Sequence, residues 1–321
     1  MTTVRVNIDE PRWDQRTILG RAKHFFAITN PLNVLATDEQ LQAAKTLVDQ
    51  YRQHQTPDDI SEDALWKAKH LVESAYHPDT GEKNFLIGRM SFQVPGNMII
   101  TGCMMTFYRS TPSVIFWQFM NQTFNSVVNY TNRNASIGVT TPQLAQAFVA
   151  ASTASVITAI GLNKLIAKSP QLSRGFVGRL VPLVAVAAAN CVNIPLMRQR
   201  EVVEGINVEL DTGETIGKSK IAAKKALAQV IPSRILMAAP SMLLPALAMT
   251  RLERRPLLTR HPMLKAPITV AMTGLCLVFS TPICCALFPQ RSSLPVESLE
   301  SSLQEIVRDH ASTHVCYNKG L

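Results

Sequence analysis

The chain has 321 residues, 46% of them hydrophobic and only 17% charged, and its 32 basic against 23 acidic residues leave a net charge of +9. A soluble basic protein of this size spends about a quarter of its residues on charge, and a nucleic-acid surface would show Lys/Arg clusters interleaved with stacking aromatics, which are missing here. Mean hydropathy is only +0.08, so the decision rests on how charge is distributed. No Asp or Glu occurs between Glu82 and Glu201, and none from Arg254 through Val296. Lipid-buried helices joined by basic loops produce that pattern.

The first residues carry Asp9, Glu10 and Asp14 with no apolar run behind them, so neither a secretory signal nor an Arg-rich transit peptide is expected and any targeting information is internal. Residues 1–90 read as a soluble helical N-terminal region. Thr37 to Gln40 has the capping-box pattern T-x-x-Q, and Leu41, Ala44, Val48 and Tyr51 then recur at helical spacing. A second helix is expected after Ser61, with Leu65, Ala68, Val72 and Ala75 on one stripe. The segment His77-Pro-Asp-Thr-Gly-Glu82 has polar groups of metal-binding type in His77, Asp79 and Glu82, but a Pro-Asp-x-Gly turn accounts for them.

Residues 91–290 read as the transmembrane domain. The first apolar stretch is interrupted at Arg109 and Pro112. Each half is too short for ~30 Å of hydrocarbon, which needs about 20 helical residues. It is read as one broken span near 96–120, with a helix from Pro112 to Asn132 as the competing reading. Four clearer spans follow near 144–166, 178–197, 228–250 and 267–288, all rich in Ala, Leu, Val, Ile and Met. Prolines inside them are tolerated where neighbours satisfy the freed carbonyls. Residues 291–321 are read as a polar tail. Five spans place the termini on opposite sides, and the basic short loops 167–177 and 251–266 then favour a head on the same, positive-inside face as those loops. The fold class expected is all-α and polytopic, in contact with the lipid bilayer.

Polar groups inside spans are costly and mark candidate functional positions. Asn121, Asn125, Asn129 and Asn132 share one helix face, with Gln118 and Gln122 beside it. That face either lines an aqueous path or meets water at the interface. Asn190 and Asn193 lie one turn apart next to Pro195, where amides and a freed carbonyl can bind an ammonium or hydroxyl group, or else pack one helix on another. Arg234 is the most interior basic residue of the spans. With no carboxylate in any span to pair it, it is a candidate partner for a substrate carboxylate or a snorkelling cation. No nucleophile with its base, paired catalytic carboxylates or Gly-rich phosphate loop is present, so an enzyme is not expected, nor is a cofactor or a bound metal. The six cysteines form neither a CxxC pair nor a ligand spacing with His.

Several stretches resemble one family. They are Glu10-Pro-Arg-Trp-Asp-Gln15, His77-Pro-Asp-Thr-Gly-Glu82, Gly102-Cys-Met-Met-Thr-Phe-Tyr-Arg109, Asn190-Cys-Val-Asn-Ile-Pro-Leu-Met-Arg-Gln199, Cys284-Cys-Ala-Leu-Phe-Pro-Gln290 and Tyr317-Asn-Lys-Gly-Leu321. Running from head to tail, they are similar to the sideroflexins. The resemblance implies a multi-pass protein of the mitochondrial inner membrane that imports serine for one-carbon metabolism, with alanine and cysteine as further substrates. It also leaves two other roles for such a protein: a non-transporting scaffold or assembly factor tied to iron or haem homeostasis, and a tricarboxylate carrier. A trivalent anion would need more intramembrane cations than Arg234 alone.

Overall fold

A computed structural model describes residues 6–54, 60–77, 80–108, 110–131, 140–168, 176–210, 213–287, 289, 291–308 and 313–319. Its head contains α1 (Ile18–Ile28), α2 (Asp38–Arg52) and α3 (Glu62–Ala75). The capping box at α2 is made reciprocally: the Gln40 N–H donates to Thr37 Oγ1 at 3.3 Å and the Thr37 N–H to Gln40 Oε1 at 3.0 Å, which satisfies two of the donors a helix start leaves open. Ser61 caps α3 one way only, its Oγ accepting from the Ala64 N–H at 3.3 Å. Leu41, Ala44 and Val48 of α2 and Leu65, Ala68 and Ala75 of α3 are buried, as their spacing predicts, and the two helices pack together.

Among the described residues, four helices are long and apolar enough to cross a membrane: Pro142–Ala167, Gly178–Met197, Lys220–Leu252 and Pro262–Leu287. They coincide with the four clear spans of the sequence. Their outward faces carry Val149, Ile157, Leu165, Val184, Leu244, Leu275 and Phe279 in the open, an apolar exterior that a water-soluble bundle would not present. The chain is therefore an all-α, multi-pass membrane protein with a helical head.

The segment 96–120 is divided between two helices, α4 (Gln93–Phe107) and α5 (Thr111–Thr131), with the break at Tyr108. They form a hairpin. Phe124 packs at Gly96, and Gln118 reaches Met104 and Tyr108. The remaining ring helices are α6 (Thr141–Ala167), α7 (Val181–Met197), then after the short α8 (Gln199–Glu204) the long α9 (Lys220–Leu252), and after α10 (Pro256–Arg260) the last span, α11 (Lys265–Leu287). Each packs on the next: α4 on α5, α5 on α6, α6 on α7, α7 on α9, α9 on α11, and α11 back on α4. Six helices thus close a ring.

Because the hairpin returns the chain to the end it left, the head and tail meet at one end of the ring. Arg21 Nε of α1 donates to the Ala286 carbonyl of α11 at 2.8 Å, and Phe26 packs edge-on against Phe279. At the other end Glu253 pairs with Arg179 at 2.5 Å and Lys265 at 3.8 Å. The expected separation of the termini gives way to this arrangement, and a positive-inside count then assigns head and tail together.

The tail is more than a polar extension. Strands β1 (Ile206–Glu209) and β2 (Thr215–Ser219) of the central loop join β3 (Arg291–Pro295) and β4 (His314–Asn318) of the tail in an antiparallel sheet ordered β2-β1-β4-β3. Alternate residues Ile206 and Val208, with Val315 and Tyr317, point into a core completed by Ala222, Ala223 and Ala226 of α9 and by Leu303 and Val307 of α12 (Ser301–Arg308). The chain enters β1 through Gly205 at φ 90°, where a Cβ would sit 2.9 Å from the Ser219 backbone.

Glu300 joins this cap to the membrane helix. Its Oε1 accepts from the Lys220 and Ile221 N–H groups at 2.7 and 3.0 Å, at the first turn of α9. Partial burial by itself would raise its carboxyl, but the hydrogen bonds from its own backbone, Ile221, Ser219 and Lys220 together hold it below the ordinary glutamate value. A depressed folded pKa adds stability that is present above the unfolded value and fades as pH falls through the folded one. Glu300→Ala is expected to cost about 1 kcal/mol at neutral pH, measured by melting in detergent, with the difference closing in acid.

Candidate functional site

The interior of the ring is apolar at one level and polar beside it. Met104 of α4, Val186 of α7 and Met242 of α9 form a buried cluster with Tyr108 and Leu183 against it. This plug joins three helices across the ring. Gln118 of α5 lies on it: its Nε2 donates to the Tyr108 hydroxyl at 2.7 Å and lies 3.8 Å from Met104 Sδ.

From the plug to one turn beyond it, α5 buries a stripe of amides. Gln118 is 0% exposed, Asn121 4% and Gln122 2%. Gln118 Oε1, Asn121 Nδ2 and Gln122 Nε2 are all buried without a hydrogen-bond partner. Unpaired polar atoms in such a place cost about 1–3 kcal/mol each, more than packing alone explains. Other helices add to the set. Asn193 is buried on the stripe of α7 that also carries Val186, and Thr273 of α11 is buried with its hydroxyl unpaired. Gln143 at the start of α6 and Ser280 of α11 also hold buried unpaired polar atoms.

Depth follows from the packing partners. α11 runs antiparallel to α4, with Gly102 against Val270 and Gly274 against Met98. From the Met104 plug, the steps to Asn121 on α5, Asn193 on α7 and Thr273 on α11 therefore all lead toward the head-and-tail end. The ring thus sets neutral donors and acceptors on one side of an apolar closure. Among the described residues of the six ring helices there is no Asp or Glu.

The predicted positions fare unequally in this geometry. Asn121 and Asn193 are buried inside the ring, whereas Asn125 and Asn190 are half-buried at its margins. Arg234 is half-buried on α9, two turns from Met242, about 12 Å along the helix, and its charge reaches Cys285 near the end of α11. No described contact joins it to the amides. Asn132 and the side chain of Asn129 lie outside the described residues. So do Pro78 and Asp79. Around them His77 and Glu82 form a turn, the His77 N–H donating to the Glu82 carbonyl at 2.9 Å and the Thr80 N–H to His77 Nδ1 at 3.3 Å, with Gly81 at φ 65°. Gln143 and Thr273 were not singled out from the sequence, although each is a polar residue in an apolar helix, the signal that marked the asparagines.

Comparison with known proteins gives one consistent result. The family model described as Sideroflexins matches residues 7–321. The chain is 55% identical over 318 residues to Sideroflexin-1 of Homo sapiens, covering 98% of both chains. It is 54% identical over 318 residues to Sideroflexin-3 of Bos taurus, again covering 98% of each. Against Sideroflexin-3 of Mus musculus it is 53% identical over 320 residues, 99% of this chain and 98% of the other. No solved structure matches the chain.

Proposed function

The chain belongs to the sideroflexin family, and from that premise we propose that it is an amino-acid carrier of the mitochondrial inner membrane that imports serine for one-carbon metabolism, with alanine and cysteine as further substrates. The observation that carries this reading is the set of unpaired amides at Gln118, Asn121 and Gln122 inside the ring. Amides donate and accept without charge. The Asn121 and Gln122 NH₂ groups suit the carboxylate of a zwitterion, and the Gln118 carbonyl oxygen suits its ammonium or hydroxyl.

The lack of a carboxylate in the described ring helices narrows the choice. A bare cation would find no counter-charge at membrane depth, and a tricarboxylate would find Arg234 as the most interior cation of the described spans, two turns from Met242. A small neutral zwitterion fits both facts. The Met104, Val186 and Met242 plug closes the ring beside the amides, so passage requires those three helices to separate. Proteoliposomes containing only this protein are expected to take up labelled serine saturably, and unlabelled citrate is expected not to compete. Absence of flux from correctly folded protein would favour a scaffold instead.

A further inference from the structure

The head brings together three groups that a transport path does not use. His24 on α1 and His70 and Glu73 on α3 present ligand atoms that all lie within 4.8 Å of one another. Each side chain is half-buried, and each holds a buried atom with no hydrogen-bond partner: His24 Nδ1, His70 Nε2 and Glu73 Oε2. A network of histidine and carboxylate without an ion would use these atoms on each other, and it does not.

We propose that His24, His70 and Glu73 form a binding site for a divalent transition-metal ion of the zinc class, with a fourth position open to water. Two imidazoles and one carboxylate suit Zn²⁺ and its first-row neighbours, whereas Ca²⁺ and Mg²⁺ take oxygen ligands. An ion at about 2.1 Å from each ligand would draw the three atoms inward.

The surroundings hold the ligands in the required state. Trp13 stacks on the His70 ring at 5.2 Å and 9°, and Trp66 stacks at 5.9 Å and 28°, so two indoles hold the plane of the imidazole. Lys69 Nζ occupies the other Glu73 oxygen, Oε1, at 3.1 Å and leaves Oε2 for the ion. Such outer partners orient ligands and tune affinity.

The position gives the ion a structural consequence. α1 lies along the last span through Arg21 and Ala286 and through Phe26 and Phe279. An ion shared by α1 and α3 therefore ties the body of the head to α11. The site escapes sequence spacing because its ligands come from two helices that are distant in the chain.

Full-length protein purified in detergent and stripped by a chelator is to be titrated with Zn²⁺, and with Co²⁺ as a spectroscopic probe. The expected result is a single Zn²⁺ per chain by elemental analysis, a rise in melting temperature, and a Co²⁺ absorption of low coordination number. Glu73→Gln and His70→Gln should each weaken Zn²⁺ binding by at least about tenfold, while His261→Gln, at an exposed position outside the cluster, should leave it unchanged. The Co²⁺ spectrum of the unaltered protein decides the matter even if a variant fails to fold. A spectrum matching the aqueous ion, or equal Zn²⁺ binding by the unaltered protein and Glu73→Gln, overturns the proposal.

Discussion

Replacing Asn121 with alanine is expected to lower serine uptake by reconstituted protein roughly 10- to 100-fold while leaving its melting temperature unchanged or higher. The two readouts diverge for a physical reason. Asn121 Nδ2 is buried and has no partner within the protein, so its removal breaks no described internal bond and relieves an unpaid desolvation. What it takes away is a donor toward the substrate carboxylate, and hydrogen bonds to charged groups contribute about 1.5–3 kcal/mol. A residue that merely packs would behave in the opposite way, losing stability first and uptake in proportion. Gln118→Ala is a useful contrast, because its Nε2 does bond the Tyr108 hydroxyl. That variant should lose both uptake and stability. Unchanged uptake by Asn121→Ala, in protein that reconstitutes normally, would remove the amide stripe from the site.

The spans and the two head helices were legible in the sequence because their signals are local. Leu41, Ala44 and Val48 follow a capping box, and the spans are long apolar runs whose ends charge and proline mark. The sheet was not. Ile206 and Val208 alternate over too few residues to announce a strand, and their partner β4, with Val315 and Tyr317, is far along the chain. Pairing at that separation leaves no local trace. The first helix was missed for a related reason: Ile18 and Leu19 are apolar but exposed, so no buried stripe emerges from the pattern.

The candidate site was legible by residue type and less so by orientation. A face built on Asn121, Asn125, Asn129 and Asn132 is turned slightly from the one the fold buries, which runs through Val114, Gln118, Asn121 and Gln122. The rotation follows from packing that periodicity alone does not contain. Val114 joins Val181 and Ala185, and Gln118 joins Met104, so the stripe facing α4 and α7 is set by its neighbours. Arg234 shows the same limit. Its depth in the sequence suggested a substrate contact, while its placement near Cys285 depends on how α9 lies against α11.

Closure of the ring depends on the seam between α4 and α11, and three glycines make that dependence measurable. A Cβ at Gly102 would stand 2.6 Å from Val270 Cα and 3.0 Å from its nitrogen. Those are backbone atoms of the facing helix, which cannot yield without moving the whole helix. Gly102→Ala is therefore expected to destabilise the protein by about 3 kcal/mol, at the upper end of ordinary overpacking. Gly274 lies on the other side of the same seam, but its Cβ would meet Met98 Sδ at 2.7 Å, the movable part of a flexible side chain. There the strain is offset by the gain of up to about 1 kcal/mol from replacing glycine with alanine in a helix, so Gly274→Ala should be nearly neutral. Gly161, mid-helix in α6, has nothing within 4 Å, and Gly161→Ala should raise the melting temperature. Small residues at helix contacts are the usual means of close approach in lipid, and this series separates the glycine that the seam requires, Gly102, from one the seam merely contains, Gly274, with Gly161 outside it as the reference. Melting of the three variants in detergent tests the order. If Gly102→Ala melted at or above the unaltered protein, the close contact of α4 with α11, and with it the closed ring, would have to be given up.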